Sequence, residues 1–217
     1  MLAGIEMGGT KVVCGVGASP TEVGDRVRIP TTTPAETLGA VTAWLAGVGP
    51  VDAVGIASFG PIERRRGHER WGWITTTPKP GWSGVDVVGP VAAAAGAPVA
   101  WETDVNGAGF GEHRHGAGRD ASVLVYLTIG TGLGGGLLVD GRPTPGLGHP
   151  EMGHVRPRRD PADSFPGACP FHGDCLEGLV CGPALAARFG RPAEEVGDAA
   201  VLDAVVPPLA AALADLV

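Results

Sequence analysis

Apolar and polar positions alternate along Leu2–Met7, the pattern of a strand with one buried face. Gly8-Gly9-Thr10 breaks it as a turn, and residues 12–16 resume as a second strand, so the two predict a hairpin. Residues 26–29 predict a third strand. Thr33-Pro34-Ala35-Glu36 then opens a helix, with threonine at the N-cap, proline in the first helical position and glutamate closing a capping box. Leu38, Val41 and Leu45 recur at helical spacing and mark its buried face, and Gly47 ends it. Residues 51–58 predict a fourth strand. Residues 60–84 hold several Trp, Pro and Thr without a clear period, which predicts a long loop. An alanine-rich helix over 90–97, entered from Asp86, precedes a short strand at 99–102 and a helix over 107–115 that ends near Gly116.

The theme recurs downstream. Residues 122–129 form a strongly apolar strand, Gly130-Thr131-Gly132-Leu133-Gly134-Gly135-Gly136 a tight glycine turn, and residues 137–139 the start of the next strand, turned at Asp140-Gly141. Residues 176–189 read as helix restarted at Gly182-Pro183, and 201–217 as a final amphipathic helix with Pro207-Pro208 inside it. Three strands, a helix and a strand is an order that resembles the actin-like, RNase H-like half-domain. The fold class expected by that analogy is α/β, with two α/β domains flanking a cleft and the second shortened. The division expected is 1–116 and 117–217.

Charge and composition narrow the partners. The net charge is −7, and the basic runs at 64–66 and 156–159 are short and sit beside acids. A nucleic-acid surface needs a broader basic face, so none is expected. The longest apolar run, 87–101, is broken by Pro90 and Pro98 and is too short to span a bilayer. The N-terminus lacks the basic and apolar regions of a signal peptide. A cytoplasmic protein without a membrane partner is expected. Lys11 and Lys79 are the only lysines among 16 basic residues, and both fall inside motifs.

The densest chemistry lies in residues 146–178, GLGHPEMGHVRPRRDPADSFPGACPFHGDCLEG. His154 is followed by Cys169-x-x-His172-x-x-Cys175, two thiols and two imidazoles in one segment. A closed Cys2His2 shell is a structural zinc site. Pro170 and Gly173 stand where a tight ligand knuckle needs them. Such a metal would also fix Glu151 and Glu177, each within three residues of a ligand, and carboxylates held in place accept sugar hydroxyls well. Cys14 and Cys181 are left as ordinary small residues.

Two glycine turns, Met7-Gly8-Gly9-Thr10-Lys11 and Thr128-Ile129-Gly130-Thr131-Gly132, each join two strands. Glycines let a backbone approach an anion, and successive N–H groups make a phosphate nest. Thr10, Thr128 and Thr131 add hydroxyls. Neither turn fits the GxxxxGK[ST] loop.

GHPEMGH followed by CPFHGDCLEG resembles the ExGH motif and zinc loop of the ROK family of sugar kinases, in its fructokinase branch. The likeness runs from the first strand to about Arg188. It implies Gly8, Gly9, Thr10 and Lys11 near the γ-phosphate of ATP, and Thr128, Gly130, Thr131 and Gly132 around the other phosphates. Asp104, in Glu102-Thr103-Asp104-Val105-Asn106, matches the general base that accepts the proton of the sugar hydroxyl in phosphoryl transfer. Thr103 stands where glucokinases of the family have Asn. Glu151, His154 and Glu177 match the sugar contacts, with Asn106 a further candidate. His154, Cys169, His172 and Cys175 match the zinc ligands. Glu6 is assigned to the surroundings of Mg2+. Thr77-Pro78-Lys79-Pro80-Gly81-Trp82 resembles a loop of the fructokinase branch and carries no assigned role. A homodimer taking ATP, Mg2+ and a hexose, D-fructose first, is expected.

The likeness breaks off after Arg188. Family members continue to a further strand and a glycine-rich adenosine motif, which no segment after Gly182 supplies. Two expectations follow: a hexose kinase, or a zinc-stabilised sugar-binding or regulatory remnant with impaired use of ATP.

Overall fold

The computed structural model describes residues 1–144 and 150–216. Residues 146–149, the start of the cysteine- and histidine-bearing stretch and the Gly148-His149 of GHPEMGH, lie outside the described residues, as does Val217. The chain divides into two compact units, Met1–Leu124 with Leu138–Pro143, and Val125–Leu137 with Thr144–Val217. The first unit thus takes in residues 117–124 and a short returning segment besides 1–116.

The first unit is built on strands β1 (Leu2–Met7), β2 (Lys11–Ser19), β3 (Glu22–Pro30) and β4 (Ala53–Ser58). The last strand of that sheet, β7 (Val99–Thr103), follows two short strands described below, and the order is β3-β2-β1-β4-β7. β1 and β2 run antiparallel with Ile5 opposite Cys14, and β1 and β4 parallel with Ile5 beside Ile56. The period of two puts Ala3, Ile5 and Met7 on one buried face, with Val54, Ile56 and Ser58 buried from β4. Helix α1 (Pro34–Gly47) covers that face through Leu38, Val41 and Leu45. Its start is the capping box expected: the Thr33 hydroxyl accepts from Glu36 N, and the Glu36 carboxylate from Thr33 N, each at 3.4 Å. Helix α2 (Val88–Ala95) adds Val88 and Val91 to the same core and ends on Gly96 at φ +59°. Helix α3 (Asp104–His115) approaches β4 closely enough that a Cβ on Gly107 would stand 2.6 Å from the Ala57 Cβ.

The long loop expected at 60–84 is corrected. It holds β5 (Trp73–Ile74), which pairs antiparallel with β6 (Val85–Asp86), and Trp82 is fully buried. Trp82 donates from Nε1 to the Thr32 carbonyl at 2.9 Å and meets Phe59 edge-on with centroids 5.4 Å apart. Burial of one large indole organises a segment that has no period of its own.

β8 (Val123–Ile129), β9 (Leu133–Val139) and β10 (Arg142–Pro143) form a sheet in the order β10-β9-β8. The glycine turn expected over 130–136 is also corrected: it closes at Gly132, and Gly134-Gly135-Gly136 continue in β9. Gly135 serves packing, since a Cβ there would stand 2.7 Å from the Met152 Cβ. Helices α4 (Leu176–Val180) and α5 (Gly182–Phe189) break at Cys181, where Pro183 follows. Helix α6 (Asp198–Leu216) carries Pro207 and Pro208. Leu133, Leu176, Leu179, Val180 and Ala212 form the core of the second unit. Among the described residues no helix is long and apolar enough to cross a membrane.

Candidate active site and metal centre

The first glycine turn closes through Gly8 N, which donates to the Lys11 carbonyl at 2.9 Å. The start of the segment leading to α1 braces it: Thr31 donates from N to the Thr10 carbonyl at 3.0 Å and from Oγ1 to the Gly8 carbonyl at 2.8 Å. Gly9, Thr10 and Lys11 are exposed, and no atom lies within 4 Å of where a Gly9 side chain would be. One contact was not foreseen from the sequence. Lys79 donates from Nζ to the Gly9 carbonyl at 2.6 Å. Its sequence signals are the scarcity of lysine and its place in Thr77-Pro78-Lys79-Pro80-Gly81-Trp82, neither of which points to Gly9.

Asp104 is the first residue of α3, directly after β7. Thr103 is the cap, accepting from Asn106 N at 3.3 Å, and an Asp104 oxygen accepts from Val105 N at 2.9 Å. Asn106 is buried and donates from Nδ2 to Glu102 Oε1 at 3.1 Å. Glu102 in turn pairs with Arg64 at 3.0 Å, a support that sequence reading did not single out.

In the second unit, Gly130 N donates to the Gly132 carbonyl at 2.9 Å, and Gly182 N to the Gly130 carbonyl at 2.8 Å. Thr128, Gly130 and Thr131 are exposed. Leu133 N donates to Glu177 Oε2 at 2.9 Å, so one oxygen of this expected sugar contact holds the backbone beside Gly132.

His154, Cys169, His172 and Cys175 come together, with their ligand atoms all within 4.8 Å of one another. His154 Nδ1 lies 3.4 Å from Cys175 Sγ and 3.8 Å from Cys169 Sγ, and His172 Nδ1 lies 3.9 Å from Cys169 Sγ. A tetrahedral shell on zinc bond lengths has edges of about 3.4–3.8 Å, so the donor set fits a metal of that geometry. The knuckle is tied by Cys169 N to the Gly173 carbonyl at 3.1 Å and by the return bond at 2.9 Å, with Gly173 at φ +64°. Gly178 lets α4 close on it, since a side chain there would collide with the Gly173 carbonyl. The cysteines are buried, His154 is partly buried and His172 exposed. Burial pushes the Cys175 thiol up to about 11, a cost that binding as thiolate to a metal reverses. Cys14 is raised to about 12 by burial alone. The other ring nitrogen of His154 lies 3.9 Å from a Glu151 carboxylate oxygen, too far for a direct hydrogen bond. Glu151 sits at φ +46°, in the left-handed region.

Comparison with known proteins identifies the family and the fold. The sequence profile of the ROK family matches residues 2–212. A fructokinase from Pediococcus pentosaceus is 45% identical over 196 residues, 90% of this chain and 68% of that protein. A fructokinase from Zymomonas mobilis is 47% identical over 198 residues, 88% of this chain and 66% of that protein. The chain thus spans about two thirds of the length of these curated relatives. A ROK hexokinase from Thermus thermophilus superposes with TM-score 0.73 at 27% identity, covering 99% of this chain and 76% of that one. A ROK family glucokinase from Streptomyces griseus, solved with glucose and AMPPNP, gives 0.69 at 29% identity, with coverage of 86% and 59%. These likenesses carry the actin-like ATPase fold expected from the order of elements. With its matched profile running from the first strand into the last helix, and both glycine turns and the cysteine–histidine quartet inside it, the chain belongs to the ROK family.

Proposed function

We propose that this chain phosphorylates a hexose with ATP, D-fructose to fructose 6-phosphate. The observation that carries the reading is the likeness to curated fructokinases over about nine-tenths of the chain. In this reading each part of the reaction has its own residues. Mg-ATP is the co-substrate, its phosphates received by Gly8, Gly9, Thr10 and Lys11 and by Thr128, Gly130, Thr131 and Gly132. Glu151, His154 and Glu177 hold sugar hydroxyls, and Asn106, whose Nδ2 is committed to Glu102, offers its oxygen. Asp104 accepts the proton of the attacking hydroxyl as its oxygen bonds to the γ-phosphorus and the bond to the ADP oxygen breaks. Catalysis of this kind rests on positioning and on electrostatic stabilisation.

Zinc is the metal proposed for His154, Cys169, His172 and Cys175. It supplies no chemistry to the reaction and fixes the segment that bears Glu151 and Glu177. The test is ADP release from Mg-ATP on addition of D-fructose, with D-glucose and D-mannose alongside. Fructose-dependent turnover above the other hexoses supports the reading. Fructose binding without turnover would make this a sugar-binding protein instead.

A further inference from the structure

The two lysines of the chain converge on one turn. Lys11 begins β2 at the exit of the first glycine turn. Lys79 reaches the same turn from 70 positions away, and its half-buried side chain ends 2.6 Å from the Gly9 carbonyl. The segment that carries it is fixed independently of that contact. Trp82 anchors it through the buried indole and the bond to Thr32. Trp82 N donates to the Lys79 carbonyl at 3.2 Å, closing a turn over Pro80 and Gly81. Ser83 accepts from Thr77 N at 3.2 Å and donates to the Thr77 carbonyl at 3.1 Å.

Among the described residues Lys79 takes part in no ion pair. An ammonium has three donors, and the Gly9 carbonyl occupies one. Clipping the turn through one donor leaves the other donors and the charge of this exposed ammonium available beside a turn whose exposed residues suit an anion. Lysine is a point charge able to follow phosphate oxygens as they move.

We propose that Lys79 binds the terminal phosphate of the nucleoside triphosphate, adding a residue to the phosphoryl-transfer machinery of the kinase reading on which this rests. The ammonium swings from the Gly9 carbonyl, or shares its donors with it, to neutralise the phosphate oxygens opposite the sugar hydroxyl.

Calorimetric titration of Mg-AMPPNP into the wild type, Lys79→Gln and Lys79→Arg tests it, with fructose affinity and Tm measured on each. Glutamine keeps a donor and loses the charge; arginine keeps the charge. The expected result is a loss of about 10- to 100-fold in Mg-AMPPNP affinity for Lys79→Gln, a smaller loss for Lys79→Arg, and unchanged fructose affinity and Tm. Full affinity in Lys79→Gln, a parallel fall in fructose affinity and Tm, or no uptake of Mg-AMPPNP by the wild type would each overturn it. Lys79-dependent nucleotide binding without fructose turnover leaves this inference standing and removes the kinase reading. Turnover insensitive to Lys79 does the reverse.

Discussion

The Glu177 carboxylate holds the backbone N–H of Leu133 at 2.9 Å. Glu177 follows Cys175 by two residues, and Leu133 follows the second glycine turn at once, so the cysteine–histidine segment and that turn are fastened together. Glu177→Ala leaves the N–H without its acceptor and is expected to cost about 1–2 kcal/mol of stability and raise KM for both ATP and fructose. Glu177→Gln keeps an acceptor oxygen and is expected to restore stability and ATP KM, but not fructose KM. Urea denaturation and steady-state kinetics check both variants. Equal behaviour of the two would mean the backbone bond carries no part of the effect.

Asp104 begins α3 after the Thr103 cap. Asp104→Asn retains the shape and loses the base. Turnover should fall about 10²- to 10⁴-fold with fructose KM little changed. Near-normal turnover would remove Asp104 from the proposed mechanism.

Metal content comes next. Elemental analysis of protein purified without chelator should find zinc, and mutation of Cys169 or Cys175 should abolish it. Binding free energies at such sites are on the order of 10 kcal/mol at neutral pH, so chelation should lower Tm sharply. Fructose affinity should fall with it, since Glu151 faces His154 and Glu177 lies beside Cys175. Intact fructose affinity in demonstrably metal-free protein would contradict the organising role given to the segment.

Asp163 supplies a pH dependence. Both of its oxygens accept from Arg188 at 2.9 Å, and Arg159 adds a third contact at 3.2 Å. The Arg188 guanidinium, against the opposing effect of burial, holds the Asp163 carboxyl well below its ordinary range. A depressed folded-state value stabilises the fold above the unfolded value, near 3.9, and that contribution is lost as pH falls through the folded value. Asp163→Asn should therefore cost about 1.5–3 kcal/mol at pH 7 and progressively less below pH ~4, read by denaturation across pH. A constant difference at all pH values would exclude the ion pair as its source.

What the sequence makes legible is local. Alternation in β1, the Thr33–Glu36 box and the cysteine–histidine quartet all depend on spacings a short window contains. What it hides is set by distant partners. Gly134-Gly135-Gly136 reads as turn because glycine breaks ladders, yet Gly135 is in a strand for the sake of Met152. The 60–84 segment has no period because Trp82 is placed by Phe59 and Thr32. Lys79 meets Gly9 across 70 positions and Glu177 meets Leu133 across 44, separations no motif spans.

The central position of β1 has a consequence for how the molecule is made. Its antiparallel neighbour β2 follows after a short turn, whereas its parallel neighbour β4 begins only at Ala53. On the ribosome the β1–β2–β3 meander can zip as it emerges, because its contacts are close in sequence. The other edge of Leu2–Met7 stays unpaired until Ala53–Ser58 has emerged and α1 has carried the chain back. An open edge of this kind recruits other nascent chains. Slow translation before Ala53–Ser58 has emerged from the ribosome lengthens that exposure, and slow translation once this strand has paired does not, so codon usage upstream of that point bears on the yield of folded protein.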